Sequence, residues 1–302
     1  MATFDQLVSQ VRQKLLGFSM SQESMSVLGA DITASDITFQ ADGATITNLS
    51  RGLAEIGDEL VLVQKWDQQS GTVTVLGGTA GRGYEGSTAA AHATGTLITA
   101  APAFPRVRIK EAINEAIAGL YPHLVVFSTT DFAYNAAQIE YPLPSEAKDV
   151  WYVVGRWVGP EKVSAPMPNW RYNPKASLAD FPTGKSIQLF DGITPGQNIR
   201  IVYATQPAPL AVGTDDFATV TGLAGRVSDL VVYGAVKRLL PGLLGGRLQQ
   251  QAIEATERAA LVTVKDISGA TQMYASLYAE RLEEERTLMF SELPNYATFQ
   301  GS

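Results

Sequence analysis

The chain contains no cysteine. Disulfide scaffolds and thiolate metal sites are therefore excluded, and a reducing compartment is compatible with the composition. Histidine is nearly as scarce, with two in 302 residues, His92 and His123. Neither has a second histidine at ligand spacing, and no HExxH occurs, so a histidine metal centre is not expected. No apolar run approaches the ~20 residues of a membrane-spanning helix. The first residues, MATFDQLVSQVRQ, lack the apolar core of a signal peptide. Basic residues are outnumbered: 23 Lys and Arg against 30 Asp and Glu give a net charge of −7. That excludes a protein that grips nucleic acid through a basic surface, though not one that surrounds DNA without holding it. GxSxG, Walker and dinucleotide fingerprints are missing too, so nothing points to an enzyme, a cofactor or a catalytic residue.

What remains is a chain with 45% hydrophobic and 18% charged residues, which can build a real core. The clearest element is residues 105–123, PRVRIKEAINEAIAGLYPH. Val107, Ile109, Ala112, Ile113, Ala116, Ile117 and Leu120 recur at helical spacing, leaving Lys110, Glu111, Asn114 and Glu115 largely on the other face. Pro105 suits the first turn, and Pro122 stops the helix. Residues 3–18 form a second amphipathic helix, with Thr3 and Gln6 at capping-box spacing and a stripe of Phe4, Leu7, Val8, Val11 and Leu15. A stripe so short needs a partner.

Residues 27–101 are rich in Ser, Thr, Gly and Asp. Short β-branched runs at 36–39, 45–49, 59–66, 72–76 and 96–100 alternate with turn signals and predict a small antiparallel barrel or sandwich. Strands return at 127–132, 136–141 and 150–158, the last carrying Trp151, Tyr152 and Trp157. A proline-rich loop at 159–183 holds Trp170, Tyr172 and Phe181. Two more strands, 186–190 and 198–205, read as a pair. From Leu223 the chain is helical again. Val227, Leu230, Val231, Ala235, Leu239 and Leu240 make one stripe, a second helix covers 248–264, and a third runs from 269 to 293. In the third, Met273, Leu277, Leu282 and Met289 are expected to face inward, and Glu280, Arg281, Glu283, Glu284, Glu285 and Arg286 to form a charged surface. Pro294 ends it.

The expected fold class is therefore α+β. A helical bundle forms from residues 1–26, 102–126 and 222–293, β-modules at 27–101 and 127–221 are inserted in it, and 294–302 is a C-terminal arm.

One stretch stands apart. Residues 81–98, GRGYEGSTAAAHATGTLI, read from turn chemistry as a turn and a short helical cap between strands. Arg82, Gly83, Gly86, Ser87, Thr88, Ala90, Ala91, His92 and Gly95 also give it a resemblance to a β-module that recurs in virion proteins of tailed bacteriophages, often in neck and tail components. A second resemblance lies in the helices. Ile113 to Ile117 with Leu120 and Tyr121, the Val-Val-x-x-Ala core within 229–240, and the helix around 278–285 are similar to the layout of phage head-to-tail adaptor (connector) proteins.

That resemblance implies a structural virion protein of the neck, assembled in the host cytoplasm. It implies a homo-oligomeric ring, usually of about twelve copies, between the portal and a downstream neck or tail protein. DNA would pass through without sequence-specific binding, and no membrane is involved. It also implies that Tyr296 and Phe299, on the C-terminal arm, are candidates for portal contact. Glu283, Glu284 and Arg286 are candidates for contacts between subunits. The alternative is a tail-fibre or host-binding virion protein whose β-modules bind sugar, with Trp170 and Tyr172 as the platform. A glycosidase built on Asp58 and Glu59 or Asp215 and Asp216 would need paired carboxylates facing one cleft.

Overall fold

The computed structural model describes residues 2–17, 23–42, 51–67, 69–156, 164–191, 193–242 and 264–291. Helix α1 (Phe4–Leu16) starts with the expected capping box. The Thr3 hydroxyl accepts from the Gln6 amide, and the Gln6 side chain accepts from the Thr3 amide. Its whole apolar stripe is buried.

Six strands follow: β1 (Ser24–Leu28), β2 (Thr38–Asp42), β3 (Gly52–Ile56), β4 (Glu59–Asp67), β5 (Thr72–Val75) and β6 (Leu97–Ala100). They close into a barrel in the order β1-β2-β5-β4-β3-β6, with β1 antiparallel to β6 across the seam from Ser24↔Ala100 to Val27↔Leu97. Closure leaves no free sheet edge. The interior is filled by Leu28, Phe39, Ile56, Val61, Val63, Val73, Val75 and Ile98. Strands β1 and β3 are absent from the sequence reading. Their residues, SMSVL and GLAEI, have little β-branched character, and it is their neighbours in the barrel that hold them extended. The strand expected at 45–49 lies outside the described residues.

Helix α2 (Arg106–Ala118) buries Ile109, Ala112, Ile113, Ala116 and Ile117. Pro105 sits at its N-cap, and the helix gives way at Gly119, before the expected stop at Pro122. Asn114, expected on the outer face, clamps the chain at Leu210: its side chain donates to the Leu210 carbonyl (2.8 Å) and accepts from the Leu210 amide (2.9 Å).

Beyond α2 the strands are β7 (Val126–Ala133), β8 (Glu140–Pro142), β9 (Asp149–Arg156), β10 (Ser164–Pro166), β11 (Trp170–Asn173), β12 (Ser186–Leu189) and β13 (Asn198–Thr205). They form a four-stranded sheet, β10-β9-β13-β7, and a three-stranded sheet, β11-β12-β8. Val150, Val153, Ile187, Leu189, Ile199, Ile201 and Tyr203 pack together as one core. The two strands read as a pair, β12 and β13, belong to different sheets. The region read as a long loop supplies β10 and β11.

The chain then forms α3 (Phe217–Thr221), α4 (Ser228–Leu239) and α5 (Val264–Ser291). Helix α4 packs against α1, α2 and α5, and Gly234 lies against both α2 and α5. A Cβ there would lie 3.0 Å from the Ala116 side chain and 3.1 Å from the Tyr278 ring. Ile117 and Leu120 are buried in this shared core with Leu230, Val231 and Ala235. The helix expected at 248–264 falls almost wholly outside the described residues.

The expected helical bundle carrying inserted β-modules is overturned. Thirteen strands, arranged as a closed barrel and two further sheets, dominate the architecture, against five α-helices among the described residues, four of them short. The cause is signal strength. A 3.6-residue apolar stripe accumulates over several turns of one helix, whereas a short strand declares itself through pairing with strands distant in sequence.

Candidate functional site

The stretch 81–98 closes one end of the barrel around a buried ion cluster. The Arg82 and Glu59 side chains are 0% and 1% exposed. Arg82 Nε and Nη2 donate to the two carboxylate oxygens of Glu59 at 2.6 and 3.0 Å. Its Nη1 donates to the Thr33 and Asp36 carbonyls, and Nη2 also donates to the Ala90 carbonyl. Glu59 accepts further bonds from the amides of Gly83 and Ala90, and His92 Nε2 lies 2.8 Å from Glu59 Oε2. Burial pushes the Glu59 carboxyl up, but the bonds from Arg82, His92 and the two amides prevail and hold its pKa below the ordinary value.

The neighbouring residues serve this cluster. A Cβ at Gly81 would sit 2.2 Å from the Leu76 carbonyl oxygen, so only glycine fits. Gly83 adopts φ +58, and a Cβ there would meet the Ala89 amide at 2.8 Å. Ser87 accepts from the Leu60 amide and donates to the Tyr84 carbonyl. Two short 3-10 turns, Gly78–Gly81 and Tyr84–Gly86, stand where a turn was expected. The small-residue run 88–93, expected as a helical cap, is not helical, and His92 within it bridges to Ile32. A carboxylate with this many donors has no lone pair left for a ligand or for proton transfer, so the cluster is a structural lock.

A second charged network joins the barrel to the helices. Glu55, at 3% exposure, accepts from the Arg106 amide at 2.5 Å and so caps α2 in place of a local side chain. It also accepts from Arg12 of α1 at 3.0 Å, and Arg12 reaches Glu23 at 2.7 Å. Glu23 accepts from the Ala103 amide. Burial raises the Glu55 pKa despite its bonds from the Arg106 amide and Arg12. Arg106 Nη2 meets Asp5 at 2.6 Å, and Asp58 receives Arg106 Nε and Lys110 Nζ. Asp58 and Glu59 are thus consecutive but serve different networks. Asp216 caps α3 through the Thr219 amide, and Asp215 accepts from the Ala211 and Val212 amides. Those amide bonds keep both aspartates below their ordinary pKa. Asp58 and Glu59, and likewise Asp215 and Asp216, thus accept from different donors.

On α5 the inward face is Ile267, Ala270, Tyr274, Tyr278, Leu282 and Met289. Met273 and Leu277, expected inward, are exposed along with Leu288. The tyrosines occupy the buried stripe that the sequence reading gave to methionine and leucine. Glu285 departs from the expected charged surface: at 2% exposure it meets Arg226 and Arg281, each at 2.8 Å. Glu283, Glu284 and Arg286 do lie on the outer face, where Arg281 holds Glu284 at 2.7 Å and Arg286 stands 3.7 Å from Glu283. Tyr296 and Phe299 lie outside the described residues, as does Trp157.

Trp170 and Tyr172, the expected sugar platform, are half-buried against the core between the two sheets, and the Tyr172 hydroxyl donates to the Ala147 carbonyl. Trp151 is flanked by Phe127 (5.3 Å between ring centroids) and Phe290 (5.8 Å). His123 is exposed in the turn beyond α2. Among the described residues no group of three or more His, Cys, Asp or Glu side chains could hold a metal ion. No described helix is long and apolar enough to cross a membrane.

The family model described as SU10 adaptor protein matches residues 88–288, well over half of the chain. The chain belongs to this family. It is accordingly a tailed-phage adaptor, a virion component that works in contact with other virion proteins. Comparison with curated proteins finds no match. The matched region begins inside the 81–98 stretch and takes in α2, both later sheets and nearly all of α5. Helix α1 and strands β1 to β5 of the adaptor precede it.

Proposed function

We propose that the adaptor assembles as a closed ring of about twelve copies between the portal and a downstream neck or tail protein, and that DNA leaves the capsid through it. The observation that carries this reading is membership of the adaptor family. The net charge of −7 supports it, since an acidic wall repels DNA and lets it slide. The outer face of α5 supports subunit contact. There Met273, Leu277 and Leu288 are exposed beside Glu283, Glu284 and Arg286, an apolar strip with charges at its rim. The role is structural, without catalysis. Residues 294–302 act as an arm that docks on the portal through Tyr296 and Phe299.

Electron-microscopy class averages of the purified adaptor, or of the virion neck, test the ring directly. A closed ring near twelve-fold is the expected result, and a trimer points instead to a fibre. Truncation after Leu293 tests the arm: the fold should survive while portal attachment weakens at least tenfold, and unchanged attachment refutes a docking role.

A further inference from the structure

The barrel and the helices have separate apolar cores, and the two cores share no residue. The bonds that pass between them are charged. Glu23, one residue before β1, accepts from Arg12 and from the Ala103 amide. Glu55 on β3 accepts from Arg12 and from the Arg106 amide. Asp58, just past β3, accepts from Arg106 and Lys110, and Glu85 lies 3.5 Å from Arg108. In each of these ion pairs the barrel side supplies the acid and the helices supply the base. Such a seat fixes an orientation without binding it tightly, because stripping water from paired charges costs about as much as pairing them returns. Burial still raises the Glu55 pKa, so that cost is not fully offset.

The connections are arranged as a hinge. Ser24 at the start of β1 and Ala100 at the end of β6 are direct partners across the seam. The chain therefore enters and leaves the barrel side by side, which leaves an axis about which the barrel can turn. Ala101 follows at once with φ +46, in the left-handed region that alanine disfavours. Its amide is held by the Leu53 carbonyl at 2.8 Å, and the chain turns away from the barrel at this residue. Pro102 and Pro105 restrict the backbone between there and α2, which concentrates bending at Ala101. The family match starts at residue 88, so β1 to β5 lie outside it, as suits a lobe carried on the rest of the chain.

We propose that the barrel is a hinged lobe. It swings about the strained turn at Ala101 between its seat on the helices and a released position, in which water replaces Arg12, Arg106 and Lys110 around Glu23, Glu55 and Asp58. The seat is the resting position, since all three acids are paired in it. Release gives the barrel a second angle against the helices and opens neither apolar core. The motion belongs to a single chain, and the proposal rests neither on the ring nor on portal binding.

Distances between two spin labels test it. The chain has no cysteine, so Thr38→Cys on β2 and Gln10→Cys on α1, both exposed positions, take the labels without background. Labelled protein is diluted with unlabelled chains so that only distances within one chain are read by double electron–electron resonance. The otherwise unchanged chain should give one narrow distance. Adding Glu23→Gln and Glu55→Gln, which keep the side-chain shapes and remove both buried charges, should replace it with a second, distinct distance. Hydrogen exchange at Val61, Val63 and Ile98 should meanwhile stay slow, showing that the barrel remains closed. A folded variant that keeps the single original distance overturns the proposal. So does a second distance that appears only with fast exchange in the barrel, because that would be unfolding. If this variant does not fold, the half-exposed Asp58 decides. Asp58→Lys should shift the distance and Asp58→Lys/Lys110→Glu should return it, whereas an unshifted distance in Asp58→Lys overturns the hinge.

Discussion

Replacing Arg82 with Leu tests whether the ion cluster holds the barrel closed. The substitution removes five hydrogen bonds at once: two to Glu59 and one each to the carbonyls of Thr33, Asp36 and Ala90. It also leaves Glu59 as a buried carboxylate facing two amides and His92, without its cation. Breaking a buried pair by deleting one partner costs about 3–5 kcal/mol, because the orphaned charge keeps its desolvation penalty. Against a total stability of about 5–15 kcal/mol, that is a large fraction. The double variant Arg82→Leu/Glu59→Gln removes the orphaned charge and should recover part of the loss, leaving the three carbonyls unsatisfied at about 1–3 kcal/mol each as an upper range. Urea unfolding gives the energies. Hydrogen exchange localises them, with protection expected to fall in residues 28–42 and 59–67. A loss below about 1 kcal/mol for Arg82→Leu, or a double variant no better than the single, would refute the lock.

The pH dependence of stability follows from the two buried glutamates with opposite signs. Glu59 titrates below its ordinary value, so its contribution is present above the unfolded pKa and is lost as pH falls through the folded one. Glu55 titrates above its ordinary value, so its contribution is present below the unfolded pKa and is lost as pH rises through the folded one. In urea unfolding from about pH 7 down to about pH 3, Glu59→Gln should flatten the acid loss and Glu55→Gln should steepen it. Ile117→Asp places an unpaired charge where α2 meets α4, at a cost of several kcal/mol, and should yield insoluble protein in a simple expression test. Excising residues 24–101 should leave the helices folded by circular dichroism. Ser24 and Ala100 are paired neighbours across the seam, so a short Gly/Ser linker can join the cut ends. Collapse of the helical signal would show that the barrel is not a separable unit.

Several features were legible from sequence because their causes are local. The capping box of α1 needs only Thr3 and Gln6, and the stripe of α2 needs only apolar residues at helical spacing. The absence of cysteine excludes thiolate metal sites without any coordinates. The pattern from Arg82 to Gly95 identified the kind of protein, and the helical layout pointed to the same family.

Other features rest on contacts that no window of sequence contains. Nothing near Glu55 says that it caps a helix beginning fifty-one positions later, and only the barrel brings it to the Arg106 amide. Arg82 reads as a turn residue until folding delivers Glu59 from β4 to meet it. Tyr274 and Tyr278 displaced Met273 and Leu277 from the buried face of α5, a rotation that depends on what α4 presents to them. The predominance of strands over helices was hidden for the same reason, since a four-residue strand acquires its stability from neighbours elsewhere in the chain. Composition excluded thiolate chemistry, and local periodicity determined where α1, α2 and α4 form. Closure of the barrel and the placing of the buried charges were decided by tertiary structure, because each depends on pairing between residues far apart in the chain.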